Sequence, residues 1–142
     1  MDKSHQELKE LFLMFKNIDR RITQCFEKRA GISLTRYELL YKLLTKGKIT
    51  QISLQQELNI DQAAITRHLK LLEEQQLVHR QRNELNNREI IVEITDIGKQ
   101  LLTGCDGDRQ QFINELYRDF TTEEVEQLQA LVRKLNYNTD RL

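Results

Sequence analysis

The residues best placed to do chemistry in this chain are bases and amides, not nucleophiles. Between Asp61 and Lys70 the sequence reads DQAAITRHLK, so Gln62, Thr66, Arg67 and Lys70 recur at helical spacing. Gln62 and Arg67 carry the forked donors and acceptors that match the exposed edges of adenine and guanine, and Thr66 and Lys70 suit phosphate oxygens. Ala63 and Ala64 stand between them, small enough to admit a partner surface close to the helix backbone. Farther on, Arg82 and Arg88 bracket a polar tip that includes Asn86. Arginines on such a projection suit a narrow, strongly negative groove. Ser53 and Gln55, just upstream, stand at a helix start, where hydroxyl, amide and free backbone N–H groups favour an anion.

Other chemistries lack their residues. There is no glycine-rich phosphate loop, no nucleophile elbow and no paired metal-ligand motif, and His5, His68 and His79 stand far apart. Neither an enzyme nor a cofactor is expected. Lys+Arg and Asp+Glu each number 22 in the 142 residues, so the formal charge is zero. Distribution matters more than this total: from Gln62 to Arg88 five basic residues face three acidic ones, a local excess of two. No apolar run reaches the roughly 18 residues that a membrane span needs, and the N-terminus has no signal core, so the reading is a cytoplasmic protein without a membrane partner. Cys25 and Cys105 do not make a disulfide framework.

Elements must hold those residues in place. Asp61 is a good N-cap, and Ile65, Leu69 and Leu72 supply the inner face of a helix over 62–75. Ile90, Val92 and Ile94 alternate with Glu89, Ile91 and Glu93, so a β-hairpin follows that helix directly. Upstream, Thr35-x-x-Glu38 reads as a capping box for a helix over 36–45, with Tyr37, Leu40, Leu43 and Leu44 inward. Ser53-x-x-Gln56 reads as another, for a short helix over 54–58. Two short helices across a tight turn, then a hairpin, make a winged helix-turn-helix. The flanks are helical. Leu8, Leu11, Phe12, Phe15, Ile18, Ile22, Cys25 and Phe26 stripe a helix over 5–28 that ends at Gly31. Ile97, Leu101, Cys105, Phe112, Leu116 and Phe120 stripe another, with a kink expected between Gly104 and Gly107. Thr121-x-x-Glu124 opens the last helix, where Val125, Leu128, Leu131, Val132 and Leu135 form a near-heptad seam. The fold class is therefore mainly α (α+β), with a winged helix-turn-helix core.

In this order the chain resembles the MarR family of winged helix-turn-helix regulators. The most specific stretch is LVHRQRNELNNREIIVEITDIG, where Leu77, Val78, Arg80, Arg88, Thr95 and Gly98 stand at matching positions. Leu34-Thr35 and Ile65-Thr66-Arg67 match as well, and the likeness runs over essentially the whole chain. One departure concerns the wing, where the family usually carries Asp and this chain has Asn86, so the charge-assisted bond that orients the arginine is expected to be weaker.

The resemblance implies one domain over 1–142: a DNA-binding lobe over 33–98, with 1–30 and 99–142 as a helical dimerisation region. It implies double-stranded DNA as partner, met by Ser53, Gln55, Gln62, Ala63, Ala64, Thr66, Arg67, Lys70, Arg82, Asn86 and Arg88. A homodimer would set two recognition helices roughly 34 Å apart on a pseudo-palindromic operator. It further implies a repressor released by a small phenolic or anionic effector, with Phe12, Phe15, Phe26, Arg36, Tyr37 and Tyr41 as lining candidates. Each reading has a plainer counterpart: a solvated helix face and an Arg82–Glu89 cross-strand pair, an intramolecular bundle, aromatic residues that only fill a core, or a winged-helix module for protein assembly. Thiol-based redox sensing would rest on Cys25, although a cysteine on a buried stripe is usually inert.

Overall fold

The computed structural model describes residues 3–103 and 107–142 and divides into two compact units, Met1–Asp108 and Arg109–Leu142. The first unit runs α1 (Lys3–Ala30), α2 (Leu34–Lys46), β1 (Ile49–Thr50), α3 (Gln51–Leu58), α4 (Gln62–Glu74), β2 (Val78–Asn83), β3 (Asn86–Ile94) and α5 (Asp96–Thr103). Two further helices follow, α6 (Gly107–Leu116) and α7 (Thr122–Thr139). Mainly helical with one small sheet, this is the winged helix-turn-helix that the residue pattern implies.

The core of the first unit is aliphatic. Leu39, Leu40 and Leu43 of α2, Leu54 of α3, and Ile65, Leu69 and Leu72 of α4 are fully buried, joined by Leu77 and Val78, Val92 of β3 and Leu102 of α5. All three inward residues expected of α4 are there, as are Leu40 and Leu43 of α2. Leu39 is buried beside them, and Tyr37 and Leu44, also expected inward, are half-buried and pack against this core.

The sheet has three strands, not the two expected, in the order β1-β3-β2 and antiparallel throughout. Ile49 and Thr50 pair with Val92 and Ile91, which covers the far edge of β3. Arg80 lies opposite Val92 and Arg82 opposite Ile90, and an irregularity at Arg82/Asn83 turns the ladder into its tip.

Caps correct two of the expected helix starts. Ser33, not Thr35, caps α2, its hydroxyl accepting from Arg36 N at 3.2 Å, while Glu27 Oε2 accepts from Leu34 N at 2.9 Å. Thr50, not Ser53, caps α3, accepting from Ser53 N at 3.1 Å. In both places serine and threonine lie close together, and the residue that leaves the extended backbone takes the role. Asp61 caps α4 as expected, through Ala64 N at 2.8 Å. The Thr121–Glu124 capping box of α7 forms in both directions. Gly31, at φ 70°, closes α1 in the left-handed region.

Two further features tie the wing to its frame. The Thr95 hydroxyl donates to Gln76 O at 2.7 Å and accepts from Gly98 N at 3.0 Å, so one side chain caps α5 and clamps it to the α4–β2 turn. Gly98 is buried there, so close to the α4–β2 turn that a Cβ on it would overlap the Leu77 carbonyl oxygen. The kink expected near Cys105 and Gly104, and Cys105 itself, lie outside the described residues.

Candidate nucleic-acid interface

Helix α4 is amphipathic, with its inner face locked into the core by Ile65, Leu69 and Leu72. Its outer face follows from that. Gln62, Ala63, Thr66, Arg67 and Lys70 line one open depression, the five residues whose spacing marks them as outward. All five are exposed, whereas Ala64 is half-buried and lies off this surface. No carboxylate among the described residues pairs with Arg67 or Lys70, so both cations face outward uncompensated.

Helix α3 approaches through its first turn. Ser53 is exposed, and its hydroxyl oxygen accepts from the Thr50 hydroxyl at 2.9 Å, which leaves its own hydrogen available to donate. Gln55 is half-buried. Asn59 enters the left-handed region (φ 51°) and its N–H turns back to α3, setting the tight turn into Asp61.

The Thr66 hydroxyl has two protein partners. It donates to Gln62 O at 2.9 Å and accepts from Gln51 Nε2 at 3.2 Å. Its single hydrogen is thereby committed, so a donated bond from Thr66 to a phosphate would require breaking the bond to Gln62.

The wing arginines differ in their bonding. The Arg82 Nη1 donates to Asn87 O at 2.8 Å, across the tip, while Glu89 accepts from Asn83 Nδ2 at 3.2 Å, so the Arg82–Glu89 cross-strand pair of a plain hairpin does not form. Asn86 does not hold a guanidinium either. Its side-chain oxygen accepts from the backbone N of Arg88 at 3.2 Å, as Asn83 does from Leu85 N at 3.1 Å, so the two asparagines shape the tip. Arg88 is exposed. Arg80, counted among the local basic residues, is instead bound to Glu73 through both its guanidinium (3.1 Å) and its backbone N (3.2 Å). That bond from Arg80 holds the Glu73 carboxyl below its ordinary range. The pair is a brace between α4 and β2, and it removes Arg80 from the outward charge.

His68 sits half-buried on α4 with its Nδ1 buried and unpartnered. Burial, then the nearby charges of Arg36 and Arg67, lower its pKa from the ordinary 6.5.

Of the effector candidates, the structure brings Phe26 and Tyr37 into direct contact. Phe26 is buried and meets Tyr37 edge-on at 4.9 Å. Arg36 is adjacent in sequence, its Nε donating to Ser33 Oγ at 3.0 Å. Phe12, Phe15 and Tyr41 are exposed. Cys25 is exposed too, not buried as its place on the α1 stripe suggested, because α1 packs on the first unit only near Phe26. Among the described residues, no three metal-ligating side chains cluster, and no helix is long and apolar enough to cross a membrane.

The comparisons with known proteins bear on this geometry directly. Residues 32–90 match the MarR family profile, a span that runs from the cap of α2 into the wing. The chain is 32% identical over 133 residues to the uncharacterized HTH-type transcriptional regulator YdgJ of Bacillus subtilis, covering 94% of this chain and 81% of that one. The chain belongs to the MarR family. It is a DNA-binding transcriptional regulator and not an enzyme. The fold agrees with a crystal structure of a mutant MarR from E. coli complexed with operator DNA, at a TM-score of 0.81 and 23% identity over 95% of this chain and 99% of that one. It also agrees with BpsR of Bordetella bronchiseptica, whose DNA binding is regulated by 6-hydroxynicotinic acid, at a TM-score of 0.79 and 16% identity over 89% of this chain and 98% of that one.

Reasoning from the sequence missed Thr50, Gln51 and the Glu73–Arg80 brace in this MarR-family regulator. The β-branched pair Ile49-Thr50 after the Gly47 turn was the available signal for β1, and it also displaces the start of α3 to Gln51. Nothing local marks Glu73 and Arg80 as partners, since they belong to different elements.

Proposed function

We propose that the protein is a homodimeric repressor that reads a pseudo-palindromic operator with α4 in the major groove and the β2–β3 wing against the minor groove. The observation that carries this reading is the outer face of α4, where Gln62, Ala63, Thr66, Arg67 and Lys70 share one open surface with no carboxylate on it. Gln62 and Arg67 then read base edges, Ala63 allows close approach, and Lys70 and Ser53 bind phosphate. Arg88, with Arg82 held across the tip, enters the flanking groove.

Dimerisation is supported by apolar surface that a single chain leaves bare. Phe12 is 62% exposed, and Leu8, Leu11, Phe15 and Ile18 on the same stripe of α1 are exposed as well. In the second unit, Val125, Leu131, Val132 and Leu135 of α7 are exposed at their near-heptad spacing. Release by a small phenolic or anionic effector is supported by the Phe26–Tyr37 pair with Arg36 beside it in sequence, and by the regulation of BpsR by 6-hydroxynicotinic acid.

The test is selection of duplexes from a random pool, followed by fluorescence polarisation with the selected and scrambled DNA. An inverted repeat should emerge, and Arg67→Ala should weaken binding to it by roughly 5- to 150-fold. Equal affinity for scrambled DNA, or an Arg67→Ala variant that binds normally, refutes the reading. Stoichiometric capture of a protein with no DNA affinity would point to an assembly module instead.

A further inference from the structure

Gln51 stands outside the surface assigned to DNA, yet it holds a residue on that surface. It is the first residue of α3 and is half-buried. Its Nε2 donates to Thr66 Oγ1 at 3.2 Å, a link between the two helices of the helix-turn-helix across fifteen positions. The direction of this bond follows from the hydroxyl's inventory. Thr66 has one hydrogen, and it goes to Gln62 O at 2.9 Å, so toward Gln51 the hydroxyl can only accept. The other amide atom, Gln51 Oε1, is buried without a partner. A buried acceptor left unpaired costs free energy that an aliphatic side chain of similar length would avoid. Packing of α3 against α4 therefore does not explain the amide. Holding Thr66 does.

We infer that Gln51 is a positioning residue for operator recognition: its amide keeps the Thr66 hydroxyl turned onto α4, so that position 66 meets DNA without a hydrogen-bond donor. This rests on the reading of α4 as the major-groove helix. With its hydrogen committed, Thr66 offers its methyl group and one oxygen lone pair. It therefore favours an apolar neighbour such as a thymine methyl over a base acceptor or a phosphate oxygen. Without Gln51 the hydroxyl keeps only its bond to Gln62 O, so its rotamer is less firmly held, and breaking that one remaining bond lets it donate outward, which blurs discrimination at that base pair.

The experiment uses the full chain and the duplex selected by the wild type, with a scrambled duplex of equal length, at one salt concentration. Gln51→Met keeps the length of the side chain and removes the amide. Gln51→Glu keeps the acceptors and removes the donor. Each should lower the ratio of selected to scrambled affinity by roughly tenfold, the scale of one lost base contact; Gln51→Met should leave scrambled binding unchanged, whereas the added carboxylate of Gln51→Glu also weakens both duplexes by repelling phosphate. In a Thr66→Val background, where there is no hydroxyl to hold, Gln51→Met should produce no further loss. Replacing thymine by deoxyuridine at the affected position should weaken wild-type binding and leave Gln51→Met less affected.

Equal falls on both duplexes would mean that Gln51 only braces the helices, and would overturn the inference. So would full additivity with Thr66→Val, or variants that discriminate as the wild type does. If the wild type itself selects no sequence, the underlying reading of α4 fails first, and that result is distinct. Thermal melts of each variant identify any that do not fold, and the glutamate and methionine variants serve as alternates for one another.

Discussion

Substituting Gly98 by alanine sets two effects of opposite sign against each other. Gly98 lies in the first turn of α5, and helix propensity alone predicts that alanine would stabilise the protein by up to ~1 kcal/mol. The surroundings say otherwise. A Cβ built on Gly98 overlaps the Leu77 carbonyl oxygen and comes within 2.7 Å of Ile94 Cγ1. The isoleucine can change rotamer, but the carbonyl is backbone, and it accepts from Thr95 N at 3.1 Å. Its neighbour Gln76 O accepts the Thr95 hydroxyl at 2.7 Å, so any shift strains two bonds that fasten α5 to the α4–β2 turn. Overpacking of this kind costs about 1–3 kcal/mol, and a weakened hydrogen bond adds about 0.5–1.5 kcal/mol. Less the propensity gain, Gly98→Ala should destabilise by roughly 0.5–3.5 kcal/mol. For a chain of this length that lowers Tm by about 2–12 °C. The assay is a thermal or urea melt of both proteins at one protein concentration, since any dimerisation makes Tm depend on it. An unchanged or higher Tm would mean that helix propensity outweighs the contact with the Leu77 carbonyl, the opposite of the order given above.

Other perturbations follow from single contacts. Asp61→Ala removes the cap on Ala64 N and should cost ~1 kcal/mol in a urea melt, whereas Asp61→Asn should cost much less. His68 makes stability depend on pH. Its folded pKa is lowered while the unfolded chain binds the proton near 6.5, so protons favour unfolding, and stability present above pH 6.5 is lost as pH falls through the folded value. Urea midpoints at several pH values should show that loss in the wild type and a smaller one in His68→Gln; identical profiles would exclude His68 as the cause. Lys70→Ala should weaken selected and scrambled DNA alike and reduce the salt slope by about one, while Arg67→Ala should act mainly on the selected duplex. Phe12→Asp on the exposed stripe of α1 should shift the sedimentation coefficient toward a monomer's, and an unchanged value would remove that stripe from the proposed interface.

Local chemistry wrote several of these features legibly into the chain. Asp61 with Ile65, Leu69 and Leu72 states both where α4 starts and which side it buries, so its outward residues follow by subtraction. The Thr121–Glu124 box and the alternation through Val92 are legible for the same reason: the cause lies within a few residues of the effect. Caps with rivals nearby are not. Ser33 prevails over Thr35, and Thr50 over Ser53, because the backbone's path into the helix selects the cap, and that path belongs to the packed molecule.

By itself the sequence determined the amphipathic faces, the helix-turn-helix order, the hairpin and the resemblance to one family. Periodicity and turn residues are properties of the chain read one element at a time. Tertiary structure alone decided which polar groups meet across elements. It joined β1 to the edge of β3, withdrew Arg80 from the outward charge by pairing it with Glu73, left Cys25 exposed, and brought the Gln51 amide to the Thr66 hydroxyl. Such pairings depend on distances between elements, which no spacing within a single helix or strand encodes.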